Sequence, residues 1–403
     1  MPGALRGRRL WFVGIGGAGL SAYAKLARAW GAEVGGWDRV RTPYLVGLED
    51  VPLEITADPV VREGWEVVVS SAYRAQVEGT PRAALLAELV AAQPSIVVAG
   101  AHGKTTTAAM IAFVLDRLGR DPAFVIGGDV PQLGGNARAG SGWLVVEGDE
   151  SDRTIESLRP AIAVVLNVDL DHHSEFASVA EVRALFERWL AHVPQVVRGE
   201  TLEPAALELA VPGEHNRGNA AAALATLELA GVPREDAARV LPEFRGVGRR
   251  FEPVGEAGGV TVVDDYAHNP AKLEAVIAAA KEWWRAAPQS ARPFGSVVVV
   301  FQPHLYSRTL HSWHELGSAV AAADAAVVTD VYKAREEPVP GVTGKLVVDA
   351  ALDARPGMRI AYAPSLADAV TVVGAWVRPG DLVLTVGAGD VDRVGPMLLD
   401  ALA

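Results

Sequence analysis

A buried strand, a glycine-rich turn and a helix follow one another from residue 95 onward. The apolar run Ser95–Ala99 leads into Gly100-Ala101-His102-Gly103-Lys104-Thr105-Thr106, and a segment with a helical pattern comes next. This order is typical of a parallel α/β sheet, and the backbone N–H groups of such a turn form a cradle for phosphates. Lys104 is suited to reach the outer phosphates, and the Thr105 hydroxyl is suited to ligate Mg²⁺. The stretch therefore predicts a triphosphate site.

This loop is a short variant of the common phosphate-binding motif. The common motif has a glycine at the position of Val98, so the pattern here is G-x-x-G-K-T. A glycine turn with a surface lysine is the alternative interpretation.

The rest of the chain alternates apolar β-rich runs with alanine- and leucine-rich helical segments, which favours parallel sheets covered by helices. We expect an α/β fold of three compact domains: residues 1–93, Rossmann-like; 94–250, a P-loop ATPase-type, mostly parallel sheet; and 251–403, Rossmann-like. At 403 residues the chain is long enough for several substantial cores.

Composition excludes several classes of protein. The chain has no cysteine, which excludes disulfide frameworks, thiolate metal sites and cysteine nucleophiles. A formal charge of −12 argues against broad binding to nucleic acid or to an anionic membrane. No apolar run approaches bilayer length and no signal-peptide core follows the basic N-terminus, so we expect a cytoplasmic protein.

The first predicted domain carries a dinucleotide fingerprint. Glycines at positions 14, 16, 17 and 19 lie between a strand and a helix, and Asp38 ends the next strand-like run. Ser70 and Ser71 follow the run Val67–Val69, where hydroxyls can hydrogen-bond a phosphate or a ribose. The pattern fits a nicotinamide or flavin cofactor or a nucleotide-linked substrate; a ligand-free turn is the alternative. The glycines of the fingerprint are Gly14, Gly16, Gly17 and Gly19.

Two acidic clusters follow apolar, strand-like runs in the second predicted domain. Glu147 opens the first, and the second is Asn167–His173. Mg²⁺ prefers oxygen ligands, so Glu147 and Thr105 are the natural first pair, while His172 is either a ligand or a contact of the substrate or second shell.

Further candidates lie around the boundary between the second and third predicted domains. Asn216 and Asn219 are three residues apart and would face the same way on a helix. Arg249 and Arg250 are suited to clamp phosphate. Strand-end turns then carry aromatic, histidine and acidic residues in two stretches, Asp264–Pro270 and Phe301–Thr309.

The ordered set of motifs closely resembles the Mur ligase family, over nearly the entire chain. The resemblance is carried by Gly14–Gly19, Gly100–Thr106, Glu147–Asp152, Asn167–His172, Pro212–Asn219, Gly248–Phe251, Asp264–Pro270, Phe301–Thr309, Asp330–Pro338 and Gly387–Asp390.

The resemblance implies an ATP-dependent ligase of cytoplasmic peptidoglycan precursor synthesis that joins L-alanine to the lactyl carboxylate of UDP-N-acetylmuramate through an acyl phosphate. It implies that the three domains bind the UDP moiety, ATP and the amino acid, with Mg²⁺ as cofactor and no nucleic acid or membrane partner, in a monomer or weak homodimer. By position it implies that the catalytic residues are Lys104, Glu147, His172, Arg250 and Asp265, and that the metal ligands are Thr105, Glu147 and His172. ATP would be contacted by Gly100–Thr106, Asn216, Asn219, Arg250 and Asp265, and the amino acid by Tyr266, His268, His304 and Arg308. The UDP moiety would be contacted by Gly14, Gly16, Gly17, Gly19, Asp38, Ser70, Ser71 and His102.

The chain departs from the family pattern at several points. Ala101 replaces a threonine, Asn269 replaces a histidine, and Leu305 lies where some relatives have an arginine. The segment 194–212 is much shorter than the small β-rich insertion of relatives, so we expect that subdomain to be missing while the site is intact.

Other functions remain open at this point. The fingerprint alone would fit an NAD-dependent dehydrogenase, and the phosphate loop alone would fit an NTPase switch or motor. Within the family, Asn269 and Leu305 leave room for another amino acid or a peptide as substrate, and the short segment leaves room for an inactive paralogue.

Overall fold

The computed structural model describes residues 3–150, 153–169, 176–286, 295–334 and 336–403. These divide into two compact units. The first comprises Met1–Ala210 with Asn216–Val247, and the second comprises Val211–His215 with Gly248–Ala403.

The first unit opens with a five-stranded parallel sheet of strand order β3-β2-β1-β4-β5. The glycine fingerprint lies between its central strand β1 and helix α1, as predicted. The elements are β1 (Arg9–Val13), α1 (Ala18–Ala29), β2 (Glu33–Asp38), β3 (Leu53–Ile55), β4 (Glu66–Val69), β5 (Thr80–Pro81) and α2 (Arg82–Ala91).

The same unit contains a six-stranded sheet of order β11-β10-β6-β9-β7-β8, in which only β8 pairs antiparallel. All five side chains of β6 are buried, which explains its unbroken apolar sequence. The elements are β6 (Ser95–Ala99), α3 (Lys104–Arg117), β7 (Ala123–Val130), β8 (Gly135–Arg138), β9 (Leu144–Glu147), β10 (Ile162–Val165), α4 (Val179–Leu190), β11 (Gln195–Arg198), α5 (Glu214–Leu229) and α6 (Arg234–Val240).

One hydrophobic cluster joins the two sheets of the first unit, from Phe12 beneath the first sheet to Trp189 on α4. Helix α1 packs against β7 and β8. At this contact the buried Asn136 donates from Nδ2 to the Ala18 carbonyl (2.9 Å) and accepts from Lys25 Nζ (3.0 Å). The sheets are therefore joined by a polar clasp as well as by apolar packing.

The connection between β11 and α5 is short and contains no strand. It consists of a single 3-10 turn, Gly199–Thr201, followed by irregular chain. This agrees with the expectation that the small β-rich subdomain is missing.

The second unit holds a six-stranded sheet of order β12-β13-β17-β14-β15-β16, parallel except for β12. Apolar clusters cover both of its faces. Pro270 begins α7, where its fixed φ suits the first position of a helix. The elements are β12 (Glu252–Ala257), β13 (Val260–Asp265), α7 (Pro270–Ala286), β14 (Val297–Phe301), α8 (Tyr306–Val320), β15 (Ala325–Val328), α9 (Lys345–Ala354), β16 (Arg359–Tyr362), α10 (Leu366–Trp376), β17 (Leu382–Val386) and α11 (Val394–Leu402).

The mostly parallel α/β fold is confirmed. Each of the three predicted domains contains one sheet, while the boundaries at residues 93 and 250 stay a prediction. Among the described residues, no helix has the length and apolar character needed to span a bilayer.

The Asn136 clasp makes a testable contribution to stability. Asn136→Ala removes a donor and an acceptor from a buried contact, so we expect it to lower the free energy of unfolding by about 1–3 kcal/mol. Thermal and urea unfolding measure this, with Gln195→Ala at an exposed position of β11 as the control. Equal stability of the two variants would show that the clasp contributes nothing.

Candidate active site

The phosphate loop has a backbone conformation that favours glycine at two points. Gly100 has φ = +130° and Gly103, the residue before α3, has φ = +83°. A Cβ at Gly103 would also collide with Oδ1 of Asn219. Helix α5 is therefore seated directly against the turn.

Asn167, after β10, braces the same loop from its other side. Its Oδ1 accepts from the backbone N–H of His102 (2.8 Å), and its Nδ2 donates to the His102 carbonyl (3.1 Å). Reasoning from the sequence placed Asn167 within a motif but not among the site residues. Its position at the end of a buried strand was the available signal.

Lys104 is largely buried and surrounded by oxygen atoms. Its Nζ lies 2.6 Å from the Gly100 carbonyl oxygen and 3.1 Å from both carboxylate oxygens of Glu150. Burial lowers the pKa of Lys104, but the negative charges of Glu150, Asp149 and Glu147 outweigh it and leave that pKa raised. The ammonium group is therefore charged at neutral pH.

Thr105 and Glu147 form the predicted pair. The Thr105 hydroxyl donates to Glu147 Oε2 at 3.0 Å, and Glu147 Oε1 accepts from the backbone N–H of Gly127. A hydroxyl and a carboxylate so close together suit a hard cation such as Mg²⁺, which takes oxygen ligands. The donor set therefore fits the ion that the sequence predicted.

His172, the third expected ligand, lies outside the described residues. Within the part of the chain that the structure describes, no group of three or more histidine, aspartate or glutamate side chains could hold a metal ion.

Asn216 and Asn219 share one face of α5, as predicted. Both are buried, and Asn219 Nδ2 donates to Asn216 Oδ1 at 3.1 Å. Because α5 already begins at Glu214, neither asparagine is its N-cap. The pair fixes the amide that rests against Gly103.

The glycine fingerprint lines a cavity of about 340 Å³ at the carboxyl edge of the first sheet. The structure brings together all but one of the side chains and glycines expected to contact UDP; His102 is instead part of the phosphate loop. The lining residues are Gly14, Gly16, Gly17, Gly19, Leu20, Asp38, Thr42, Ser70, Ser71, Ala72, Tyr73 and Arg82.

Asp38 also holds the turn in shape. Its Oδ2 accepts from the backbone N–H of Gly16 (2.7 Å), and Thr42 Oγ1 donates to the Gly16 carbonyl (2.6 Å). A Cβ at Gly16 would lie 2.8 Å from Asp38 Oδ2, so this position has no room for a side chain.

In the second unit, two aspartates end β13 and have separate partners. Asp265 accepts from the backbone N–H groups of Phe251 and Ala267, each at 2.8 Å, and burial raises the pKa of its carboxyl group. Asp264 pairs with Arg249 at 3.0 Å.

Arg249 and Arg250 do not act as a matched pair. Arg249 also donates to the carbonyls of Gly387 (2.8 Å) and Gly389 (3.1 Å), so its guanidinium closes the end of the sheet instead of projecting as half of a phosphate clamp. Both guanidinium groups lie 5.2 Å from the ring centre of Tyr266.

The four residues expected to bind the amino acid form one cluster at the ends of β13 and β14. Tyr266 and His268 pack edge to face at 5.3 Å, His268 lies 6.1 Å from His304, and Arg308 Nη1 lies 3.3 Å from His304 Nδ1. The ring of Tyr332, which was not among the candidates, stacks on His304 at 5.8 Å.

Sequence reasoning also missed Glu150 and Arg82. Glu150 belongs to the acidic turn after β9, and its carboxylate contacts Lys104 of the glycine turn directly. Arg82 lines the cavity at the first sheet although it begins a helix far along the chain from the glycine fingerprint. Glu150 lies within the predicted acidic cluster, whereas no local pattern singled out Arg82.

A glycine turn with a charged lysine, an oxygen pair suited to a hard cation and a cavity lined by the glycine fingerprint are together typical of nucleotide-binding α/β enzymes. Residues 98–197 match the Mur ligase middle domain, and residues 249–389 match the Mur ligase glutamate ligase domain. The chain belongs to the Mur ligase family.

Full-length relatives agree with this assignment. UDP-N-acetylmuramate–L-alanine ligases from Streptomyces avermitilis and Kineococcus radiotolerans are 38% and 39% identical to this chain, covering 97% and 100% of it and 97% and 98% of their own lengths. The first alignment spans 462 positions against 403 residues here, so that relative has residues without a counterpart in this chain.

Solved structures show the same fold over the whole chain. A UDP-N-acetylmuramate–alanine ligase from Thermotoga maritima superposes with a TM-score of 0.80 at 26% identity, covering 98% of both chains. A murein peptide ligase from Psychrobacter arcticus, at 22% identity and a TM-score of 0.66, covers 98% of this chain and 99% of its own, and shares the fold.

The seating of Asn219 against Gly103 can be separated from backbone strain. Gly103→Ala adds a collision to a left-handed residue, so we expect ADP to bind about tenfold more weakly or worse. Gly119→Ala is the matched control, because Gly119 has φ = +67° and nothing within 4 Å of its Cβ position. It should lose about 1–2 kcal/mol of stability and keep its ADP affinity. Calorimetric titration measures the ADP affinity of the two variants, and thermal unfolding measures their stability. Similar ADP affinities in the two variants would contradict the role of the contact.

Proposed function

We propose that this protein is an ATP-dependent ligase that joins L-alanine to the lactyl carboxylate of UDP-N-acetylmuramate, in peptidoglycan precursor synthesis. The observation that carries the proposal is the charged Lys104, held in the glycine turn beside the Thr105–Glu147 pair. Full-length likeness to relatives named for this reaction supports the choice of substrates.

In the first step, a lactyl carboxylate oxygen attacks the γ-phosphorus of ATP, and ADP leaves. Carboxylate and triphosphate repel each other, so positive charge must be in place before they approach. Lys104 supplies one fixed charge, and the N–H groups of the loop bind phosphate oxygens. Asn219, which packs against Gly103, and Asn167, which accepts from the His102 N–H, keep the loop in shape during the transfer.

Thr105 and Glu147 are the residues that would hold Mg²⁺. When bound there, the ion neutralises phosphate charge and orients the γ-phosphoryl group. The bond from Glu147 to the Gly127 N–H keeps one carboxylate oxygen fixed, which orients the other toward Thr105. His172 is proposed as the ligand of a second ion near the acyl phosphate.

In the second step, the amine of L-alanine attacks the acyl phosphate, loses a proton, and phosphate leaves as the amide forms. The cluster of Tyr266, His268, His304 and Arg308 is proposed to bind the amino acid. Arg308 suits the carboxylate, because a guanidinium forms two parallel bonds to that group.

Arg250, Asp265 and Asn216 complete the proposed ATP contacts. The cavity at the first sheet is proposed to bind the UDP moiety, with Asp38 and Ser70 among its polar groups. The protein is proposed to work in the cytoplasm on these small molecules, as a monomer or weak homodimer.

The reaction itself is tested by release of ADP. We expect release to require Mg²⁺, UDP-N-acetylmuramate and L-alanine together, and to stop when EDTA removes the metal. Glycine, L-serine and a tripeptide should be poorer acceptors. Release that needs no sugar nucleotide would favour an NTPase, and preference for another acceptor would favour a related ligase.

Glu147→Gln tests the metal ligand. The amide keeps the shape but loses the charge, so we expect kcat to fall about a hundredfold or more. Glu235→Gln, an exposed acid on α6, is the matched control and should behave as the parent. A variant at Glu147 with parental kcat would remove that residue from the metal site.

Arg308→Gln tests the amino-acid site. We expect the KM for L-alanine to rise about tenfold or more while the KM for ATP stays the same, because the lost interaction is made with one substrate. Arg285→Gln on α7 removes an exposed charge from the same unit and serves as the control. An increase in the ATP KM instead would place Arg308 elsewhere in the reaction.

A further inference from the structure

Arg82 lies between the two nucleotide-type sites of the first unit. It begins helix α2 and is the one cationic side chain among the described residues that line the cavity of the glycine fingerprint. Its Nη1 lies 3.7 Å from where a Cβ of Gly19 would be, beside the first turn of α1. A diphosphate bound at that turn would therefore meet the guanidinium.

The other edge of the same guanidinium is held by an acid of the phosphate site. Arg82 Nη2 donates to Asp149 Oδ2 at 2.7 Å, and the Arg82 side chain is only 23% exposed. Asp149 does not line the cavity; it belongs to the turn that follows β9. One side chain thus contacts both sites.

The turn that carries Asp149 also carries the acids of the phosphate site. Glu150, the residue after Asp149, contacts Lys104 with both carboxylate oxygens. Glu147, two residues before Asp149, accepts a hydrogen bond from the Thr105 hydroxyl. A line of alternating contacts therefore runs from the glycine fingerprint through Arg82 and Asp149 to Lys104.

We infer that Arg82 is a positioning residue that couples binding of the sugar nucleotide to binding of ATP. A diphosphate on Nη1 fixes the guanidinium, the fixed guanidinium holds Asp149, and Asp149 orders the turn that orients Glu147 and Glu150. The second nucleotide then meets a turn that is already ordered, so each ligand tightens the other. The inference rests on the proposed function for the identities of the two ligands, the sugar nucleotide and ATP.

The coupling is measured by calorimetric titration with a non-hydrolysable ATP analogue and Mg²⁺, with and without saturating UDP-N-acetylmuramate. We expect the sugar nucleotide to tighten the analogue about fivefold or more in the parent protein. Arg82→Gln and Asp149→Asn should each reduce that factor to below about twofold, and the double variant should be no worse than either, because one break interrupts the line. Arg82→Lys should keep part of the effect, since it keeps the charge but loses the fork.

Arg74→Gln is the matched control, because it removes an exposed charge just after Tyr73 at the edge of the cavity. It should keep the parental coupling. Thermal unfolding of each variant shows whether it is folded, and a purely structural role of Arg82 would lower the melting temperature while leaving the coupling factor intact.

Three results would overturn the inference: no coupling in the parent protein, parental coupling in Asp149→Asn, or additive losses in the double variant. The same preparation is assayed for ADP release. Normal release with unchanged coupling in every variant would sink this inference and leave the proposed function standing. Coupling that is present in the parent protein and lost in the variants, but without amide formation, would support this inference and overturn the proposed function.

Discussion

The contact of Asn219 with Gly103 is the constraint on which the phosphate site depends. Gly103 lies in the left-handed region and has no space for a Cβ, so the turn and helix α5 fit only in this arrangement. Asn216 fixes the amide from its own helix, and Asn167 fixes the opposite side of the loop. The loop consequently has its shape before any phosphate arrives, which lowers the cost of binding.

The charges of the first unit follow from this rigid loop. Lys104 begins α3, and the acids after β9 lie close to its ammonium group. Their negative charge keeps the ammonium group protonated, and Arg82 offsets part of that charge from the other side. Lys104 and Arg82 are therefore both held in place by acids of the same turn.

The fold class could be predicted from the sequence, because it depends on neighbours along the chain. The site residues came from motifs and from the family resemblance, and their roles stay predictions. The buried run Ser95–Ala99 and the glycine turn are local patterns, and both have the predicted conformation. The Arg249–Arg250 pair shows the limit. Both residues looked alike in sequence, and both guanidinium groups lie over Tyr266, yet the structure also binds Arg249 to Asp264 and to the carbonyls of Gly387 and Gly389.

By itself the sequence determined the order of strands and helices, the position of each glycine turn and the kinds of side chain at the strand ends. Periodicity and turn chemistry act over a few residues, so they are legible without a structure. Only the tertiary structure decided that Arg82 reaches Asp149, that Glu150 holds Lys104 and that Asn136 joins the two sheets. These contacts join residues 46 to 118 positions apart, and their geometry depends on how the sheets pack, which no local pattern encodes.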